Sequence, residues 1–161
     1  MHSSYELNEE IRHTVSEYSP AILRLAFAYL KSRADAEDIA QEVFIAYMVS
    51  RPRFDTEAKK KAWLMRVTAN KCKNVLKSGW RRRVEAIAEE LGDMPGDDGN
   101  LLEYVLGLDE KYRIPIHLHY YEGYSIAEIA QLTDTKAATV GTWLARGRSL
   151  LKTMIGDDFF G

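Results

Sequence analysis

Lys59, Arg66, Lys73 and Lys77 recur at a spacing that sets them on one narrow face of a helix, with Asn70 in line and Trp63 and Asn74 beside it. At 100° per residue, Leu64, Met65, Thr68, Cys72, Val75 and Leu76 fall on the opposite side. Such a helix buries one face and offers cations, amides and an indole on the other. Cations track phosphates and aromatic rings stack on bases, each stacked base contributing about 1–3 kcal/mol. Trp80-Arg81-Arg82-Arg83 adds charge just past the helix. An ordinary solvated Lys/Arg face would share the cations, but it would carry more carboxylates after Glu57 and would not present a Trp. The pattern therefore points to single-stranded nucleic acid.

A second constellation lies near the carboxy terminus. Ser125-Ile-Ala-Glu128 has capping-box spacing and opens a short helix with Ile126, Ile129, Ala130 and Leu132 available for packing. Thr133-Asp134-Thr135 makes a turn, and a longer helix follows with Val140, Leu144, Leu151 and Met154 facing inward. This is the pattern of a helix-turn-helix, whose second helix enters the major groove by its amino-terminal end. Lys136, Ala138, Thr139, Gly141 and Thr142 are so placed, small or hydroxylated enough to approach base edges closely. Arg146, Arg148 and Lys152 would follow the backbone. A helical hairpin without a DNA role has the same local pattern.

The elements that must position these residues are helical throughout. Asn8 before Glu9-Glu10 reads as a helix start, and Ser19-Pro20 as a restart, with Ile22, Leu23, Ala26, Phe27 and Leu30 as the apolar stripe that follows. Asp35 with Asp38 opens the next helix, which buries Ile39, Val43, Ala46 and Tyr47. Residues 51–55 form a loop, with Asp55 or Thr56 capping the cationic helix, which runs to about Ser78. A short helix is predicted over 84–91 and turn-rich chain over 92–99. Four further helices are predicted over 100–107, 110–121, 126–132 and 136–154, with Pro115 kinking the second or shifting its start.

Charge is distributed in blocks. Residues 1–84 hold 16 Lys and Arg against 10 Asp and Glu, residues 85–110 hold 9 acids and no base, and residues 111–161 hold 6 bases and 5 acids. The fold class that follows is all-α, with two small helical domains joined by an acidic linker, the second a helix-turn-helix domain. The boundaries are 1–84, 85–99 and 100–161. An acidic tether is compatible with domains that change relative orientation. No apolar run approaches the roughly 18–20 residues of a membrane span, and the amino terminus lacks a secretory pattern, so neither membrane insertion nor export is expected. Cys72, the single cysteine, fits a reducing, cytoplasmic setting and falls on an apolar face.

Read together, these segments resemble a bacterial RNA polymerase sigma factor of the extracytoplasmic-function (ECF) group, over nearly the whole chain. Ala36-Glu-Asp-Ile-Ala-Gln-Glu-Val-Phe44 is similar to the region-two segment that docks on the clamp helices of the polymerase β′ subunit, with Asp38, Gln41 and Glu42 at its polar positions. Phe54-Asp55 and Ala62-Trp-Leu-Met-Arg-Val-Thr-Ala-Asn70 resemble the loop and helix that read and melt the −10 element. Residues 108–113, 120–130 and 139–148 resemble region four, which reads the −35 element. The resemblance implies a specificity subunit rather than an enzyme. Core polymerase and promoter DNA are the implied partners, and a membrane-linked anti-sigma factor is a further one. It assigns −10 contacts to Phe54, Lys59, Trp63, Arg66, Asn70, Lys73, Asn74, Lys77, Arg81 and Arg82, with loop 51–58 holding a flipped base. It assigns −35 contacts to Lys136, Ala138, Thr139, Gly141, Thr142, Arg146 and Arg148. Gly141 and Trp143 depart from the Lys and Arg common there, and Pro115 and His119 depart from the usual preceding helix. With a near-neutral region four, autonomous affinity for duplex DNA should be weak.

Two other readings use fewer of these features. A helix-turn-helix regulator that dimerises through its amino-terminal half leaves Asp38, Gln41, Glu42 and the basic helix without a task. A pure interaction module leaves the DNA-facing residues without one. His117 and His119 are two apart, hence on different sides of a helix, and no metal or cofactor is expected. The acidic pairs Glu89-Glu90 and Asp97-Asp98 lie in the tether rather than in a pocket, so no catalytic residue is assigned. Tyr120-Tyr121 reads as core, and Phe159-Phe160 as a tail or a docking pair.

Overall fold

Tyr18, Ala21, Ile22, Leu25, Ala26 and Tyr29 are all buried, and their three- and four-residue spacing draws one long helix into the centre of the amino-terminal half. In the computed structural model, which describes residues 4–80 and 99–155, this is α1, Ser4–Leu30. It begins earlier than Asn8 and passes through Ser19-Pro20 without restarting. Pro20 lacks the N–H that would bond one turn back, but its fixed φ is already helical. Burial of Tyr18, Ala21 and Ile22 on either side holds that turn in place. Lys31 then takes a left-handed conformation, φ 56°, and its N–H closes on the Phe27 carbonyl at 2.8 Å.

Helix α2, Arg33–Ser50, starts two residues before the predicted Asp35 because Ser32 is the cap, its hydroxyl accepting from the Asp35 N–H at 3.2 Å. Ile39, Val43 and Tyr47 are buried as predicted, whereas Ala46 is half-buried. After residues 51–56, Thr56 rather than Asp55 caps α3, Glu57–Val75, accepting from the Lys59 N–H at 3.2 Å. A π-helical turn, Leu76–Trp80, extends α3 to the predicted end. Helix α1 packs on both α2 and α3, and Ile22, Leu25, Leu30, Val43, Leu64 and Met65 fill the space between them.

The second unit comprises α4 (Gly99–Leu106), α5 (Glu110–Ile116) with a π-helical turn (His117–Tyr121), α6 (Ile126–Thr133) and α7 (Ala137–Ile155). Pro115 does not move the start of α5. The helix instead widens just beyond it, and the Glu122 N–H reaches back five residues to the His117 carbonyl at 3.2 Å. That widened turn swings Tyr120 outward, 45% exposed, and leaves Tyr121 half-buried, so this pair is not core. The Ser125 capping box is present in both directions, at 3.1 and 2.9 Å. Asp134, φ 55°, ends α6 and starts the turn into α7. Ile129, Leu132, Val140, Leu144 and Leu151 are buried between these helices. Met154 is exposed, because the inward row of Val140, Leu144 and Leu151 continues to the half-buried Ile155.

Every element among the described residues is helical, and none is long and apolar enough to cross a membrane. The predicted helix over 84–91, residues 92–98 and Phe159-Phe160 lie outside the described residues. The two units touch: α6 lies against α3, and α5 with its π turn lies against α1.

Candidate nucleic-acid interface

The outward face of α3 carries its predicted groups, in two environments. Lys59, Arg66, Asn70, Asn74 and Lys77 are exposed. Lys59 pairs with Asp55 at 3.1 Å, a contact in water that contributes little to stability. Lys73 is half-buried and donates to the Thr133 carbonyl at 2.5 Å, on the turn of the other unit. Burial pulls its ammonium below the ordinary lysine value, against the opposing effect of Asp134 and Glu110. Arg81 and Arg82 lie outside the described residues.

Trp63 is not a freely presented indole. It is half-buried, its ring 6.2 Å from Tyr47 at 62° and 6.1 Å from Phe54 at 58°. Edge-on contacts of this kind are favoured by the ring quadrupoles. Lys60 is buried behind them with Nζ 5.3 Å from the Tyr47 ring. Loop 51–56 is thereby anchored through Phe54 to the amino-terminal end of α3. An aromatic cluster, with Tyr47 buried and Phe54 and Trp63 half-buried, stands beside the cationic face.

On α2, Asp38, Gln41 and Glu42 are exposed, and Glu42 lies 3.7 Å from Lys71 of α3. Ile45, Met48 and Val49 continue the same face at helical spacing, with 53%, 37% and 78% exposure. Sequence reasoning missed these three. The available signal was that α2 is apolar on two sides, Ile39, Val43 and Tyr47 inward and Ile45, Met48 and Val49 outward. A clustered, exposed apolar face marks contact with another protein.

In the helix-turn-helix, Lys136, Ala138, Thr142, Arg146 and Arg148 are exposed, and Thr139 and Gly141 are half-buried. Thr142 donates back to the Ala138 carbonyl at 3.1 Å, and Arg148 donates to the Tyr120 hydroxyl at 3.1 Å. A side chain at Gly141 would meet nothing closer than Ile126 Cδ1 at 4.0 Å, so packing does not demand glycine there. At Gly147 it would stand 3.0 Å from the Ile116 side chain, a tight fit that Ile116 would have to yield to by a few tenths of an ångström.

His117 and His119 have partners within the fold, and the cysteine is buried. His117 Nε2 faces Glu122 at 3.2 Å, and His119 Nδ1 donates to the Tyr124 carbonyl at 2.8 Å. Burial pushes the Glu122 carboxyl up, but the adjoining His117 and the hydrogen bonds from Arg24 outweigh it and hold the group at about 2. Cys72 is buried, and burial pushes its thiol well above the ordinary value. Among the described residues no three His, Cys, Asp or Glu side chains are arranged to hold a metal ion.

Residues 14–82, which contain α2, α3 and their exposed faces, match the sigma-70 region 2 family, and residues 98–151 match sigma-70 region 4. The ECF RNA polymerase sigma factor SigW of Bacillus subtilis is 28% identical, the match covering 89% of this chain and 87% of that protein. The ECF RNA polymerase sigma-E factor of Haemophilus influenzae is 29% identical, covering 88% and 85%. The chain belongs to the ECF sigma factors. Two solved structures share the fold. CnrH, in complex with the cytosolic domain of CnrY, superposes with a TM-score of 0.66 at 21% identity, covering 92% of this chain and 88% of that one. RpoE of Bartonella quintana, in complex with the anti-sigma factor NepR, does so at 0.69 and 19%, covering 93% and 99%. An ECF sigma factor directs core RNA polymerase to specific promoters by recognising −10 and −35 elements, and the regulator reading is no better supported.

Proposed function

We propose a division of labour among the exposed faces of this sigma factor. Residues 1–84 dock on polymerase and open the −10 element, 85–99 are the linker, and 100–161 read the −35 element. Docking on the β′ clamp helices falls to Asp38, Gln41 and Glu42, with Ile45, Met48 and Val49 as the apolar part of the same contact. The carrying observation is that this mixed face and the cationic face of α3 belong to one three-helix unit, so a docked α2 fixes where α3 meets DNA. Phe54, Lys59, Trp63, Arg66, Asn70, Lys73, Asn74 and Lys77, with Arg81 and Arg82, take the −10 strand. The half-buried Phe54 and Trp63 of the aromatic cluster support a binding place for an unstacked base beside loop 51–58. Unstacking costs a few kcal/mol, least once a strand is open.

Region four positions the complex through Lys136, Ala138, Thr139, Gly141, Thr142, Arg146 and Arg148. The protein is a regulatory subunit without catalysis of its own and acts in the cytoplasm. An anti-sigma factor is its proposed inhibitor. The likeness to RpoE, solved in complex with the anti-sigma factor NepR, supports that reading.

Transcription with core polymerase on a promoter library tests the proposal. Start sites that depend on this protein are expected, and their absence on every template would end it. Replacing Gln41 and Glu42 by Ala should abolish core binding with helix content unchanged. Trp63→Ala or Asn70→Ala should leave core binding intact and impair promoter opening. Opening equal to the parent would remove those residues from the role.

A further inference from the structure

Tyr120 has no part in the roles assigned above. Its sequence position reads as core, yet it is 45% exposed, because the π-helical turn after Pro115 carries it to the surface. Irregular turns of this kind recur at functional sites. Its ring and its hydroxyl are held from two sides. The His119 ring meets it edge-on, the centroids 4.9 Å apart at 85°. Nδ1 of His119 is in turn fixed on the Tyr124 carbonyl at 2.8 Å. From α7, the exposed Arg148 donates to the Tyr120 hydroxyl at 3.1 Å, across 28 residues of chain. A phenol hydroxyl and a guanidinium are thus displayed together at the surface of region four.

Helical geometry sets where this pair stands. Arg148 lies seven residues beyond Gly141, which is two turns along one face of α7. A side chain at Gly141 would come 4.0 Å from Ile126 Cδ1, so that face borders the start of α6. A recognition helix enters the groove by its amino-terminal end, so residues two turns further along its flank meet the sugar-phosphate backbone rather than base edges. The chemistry suits that place. A guanidinium carries five N–H donors in a rigid fork that matches phosphate, and a phenol hydroxyl that accepts from it can give its own proton to another oxygen. Two donors already held together lose less freedom when the anion arrives.

On the functional reading above, we propose that Tyr120 and Arg148 form one phosphate grip on the flank of the recognition helix, so that Tyr120 contacts the duplex backbone and reads no base. The grip adds affinity that does not depend on sequence, in a unit whose charge is nearly balanced, and it fixes how α7 sits in the groove. Its two members differ in kind. Arg148 neutralises a phosphate and displaces counterions, whereas the Tyr120 hydroxyl adds a hydrogen bond and displaces none. A pair that only stapled the π turn to α7 would affect folding and leave DNA binding alone.

Tyr120→Phe removes the hydroxyl and keeps the ring, and Arg148→Ala removes the cation; both are made in the full chain and should keep the parent's helix content. With core polymerase on promoter fragments, Tyr120→Phe should weaken binding about threefold or more, by the same factor on promoters with different −35 sequences. The slope of log affinity against log salt should not change. Arg148→Ala should weaken binding at least as much and reduce that slope by about one. The double variant should bind within about twofold of Arg148→Ala, because the two groups hold one phosphate. A readout without polymerase keeps this test distinct from the functional reading. In the full chain labelled with fluorotyrosine, the fluorine resonance missing from Tyr120→Phe belongs to Tyr120. It should move when random-sequence duplex is added at low salt, and move less in Arg148→Ala. Absence of dependent start sites would fail the functional reading and leave this resonance to decide the grip. A resonance that stays still, or a Tyr120→Phe variant that binds promoters as the parent does, would overturn the grip. So would a loss that differs among −35 sequences, which would make Tyr120 a base reader.

Discussion

Region two keeps most cations of its α3 face in water, whereas region four commits Arg113 wholly to protein. Lys59, Arg66 and Lys77 stand exposed along α3. In region four, Arg113 is buried against three carbonyls and the exposed Arg148 reaches the Tyr120 hydroxyl, and Lys136 and Arg146 are further exposed bases of the proposed reading face. Phosphate neutralisation supplies most of the sequence-independent affinity for nucleic acid. The contrast therefore supports the proposed division, affinity from the first unit and position from the second. Apolar surface follows the same division: region two exposes Ile45, Met48 and Val49 together, beside polar groups able to meet a protein partner.

The comparison breaks first at the core. Leu64 is fully buried where α3 meets the first unit, and Leu64→Ala should destabilise that unit by about 2–5 kcal/mol. Calorimetry should show the region-two transition fall while region four melts nearly as before. A common shift of both would mean that the two are one cooperative body. In the second unit, Gly147→Ala places a methyl 3.0 Å from the Ile116 side chain, which must give by a few tenths of an ångström, so the gain of about 1 kcal/mol that alanine brings to a helix should be reduced or reversed there, read as a smaller rise or a fall of the region-four transition than Gly141→Ala produces.

Acid sharpens the boundary between the units. The Glu122 carboxyl sits at about 2 in the folded chain, below its ordinary 4.5. A lowered folded value means that its contribution is full above 4.5 and fades as pH falls from there toward 2. The contact with Arg24 should loosen over that window, seen as falling energy transfer between the units, and Glu122→Gln should remove that part of the acid response. A titration of Glu122→Gln identical to the parent's would place the acid sensitivity elsewhere. The smallest effect has the opposite sign. Gly141→Ala meets open space in a helix and should stabilise region four by up to about 1 kcal/mol, since alanine favours the helix over glycine by that amount. A loss of stability there would show that Gly141 serves packing.

Much of the fold was legible because its signals are short-range. The Ser125 capping box, the Thr56 cap and the buried row Leu64, Thr68, Cys72 each rest on residues three or four apart. Misreadings arose where a local signal was outweighed. Ser19-Pro20 reads as a helix start, but burial on both sides carries α1 through it. Tyr120 reads as core, but the π turn after Pro115 rotates it outward. Trp63 reads as exposed because helical geometry places it beside the cations. Tyr47 and Phe54, from other parts of the chain, half-bury it.

The sequence by itself determined the helices, the cationic row of α3, the helix-turn-helix and the resemblance that led to the family. All of these rest on periodicity and motif order within a segment. Only the tertiary structure decided which cations of that row remain available. Lys73 is engaged by a carbonyl 60 residues away, and Arg113 by carbonyls 85 and 84 residues away. No local pattern encodes such pairs. They exist because buried donors must find acceptors, and here the acceptors belong to the other half of the molecule.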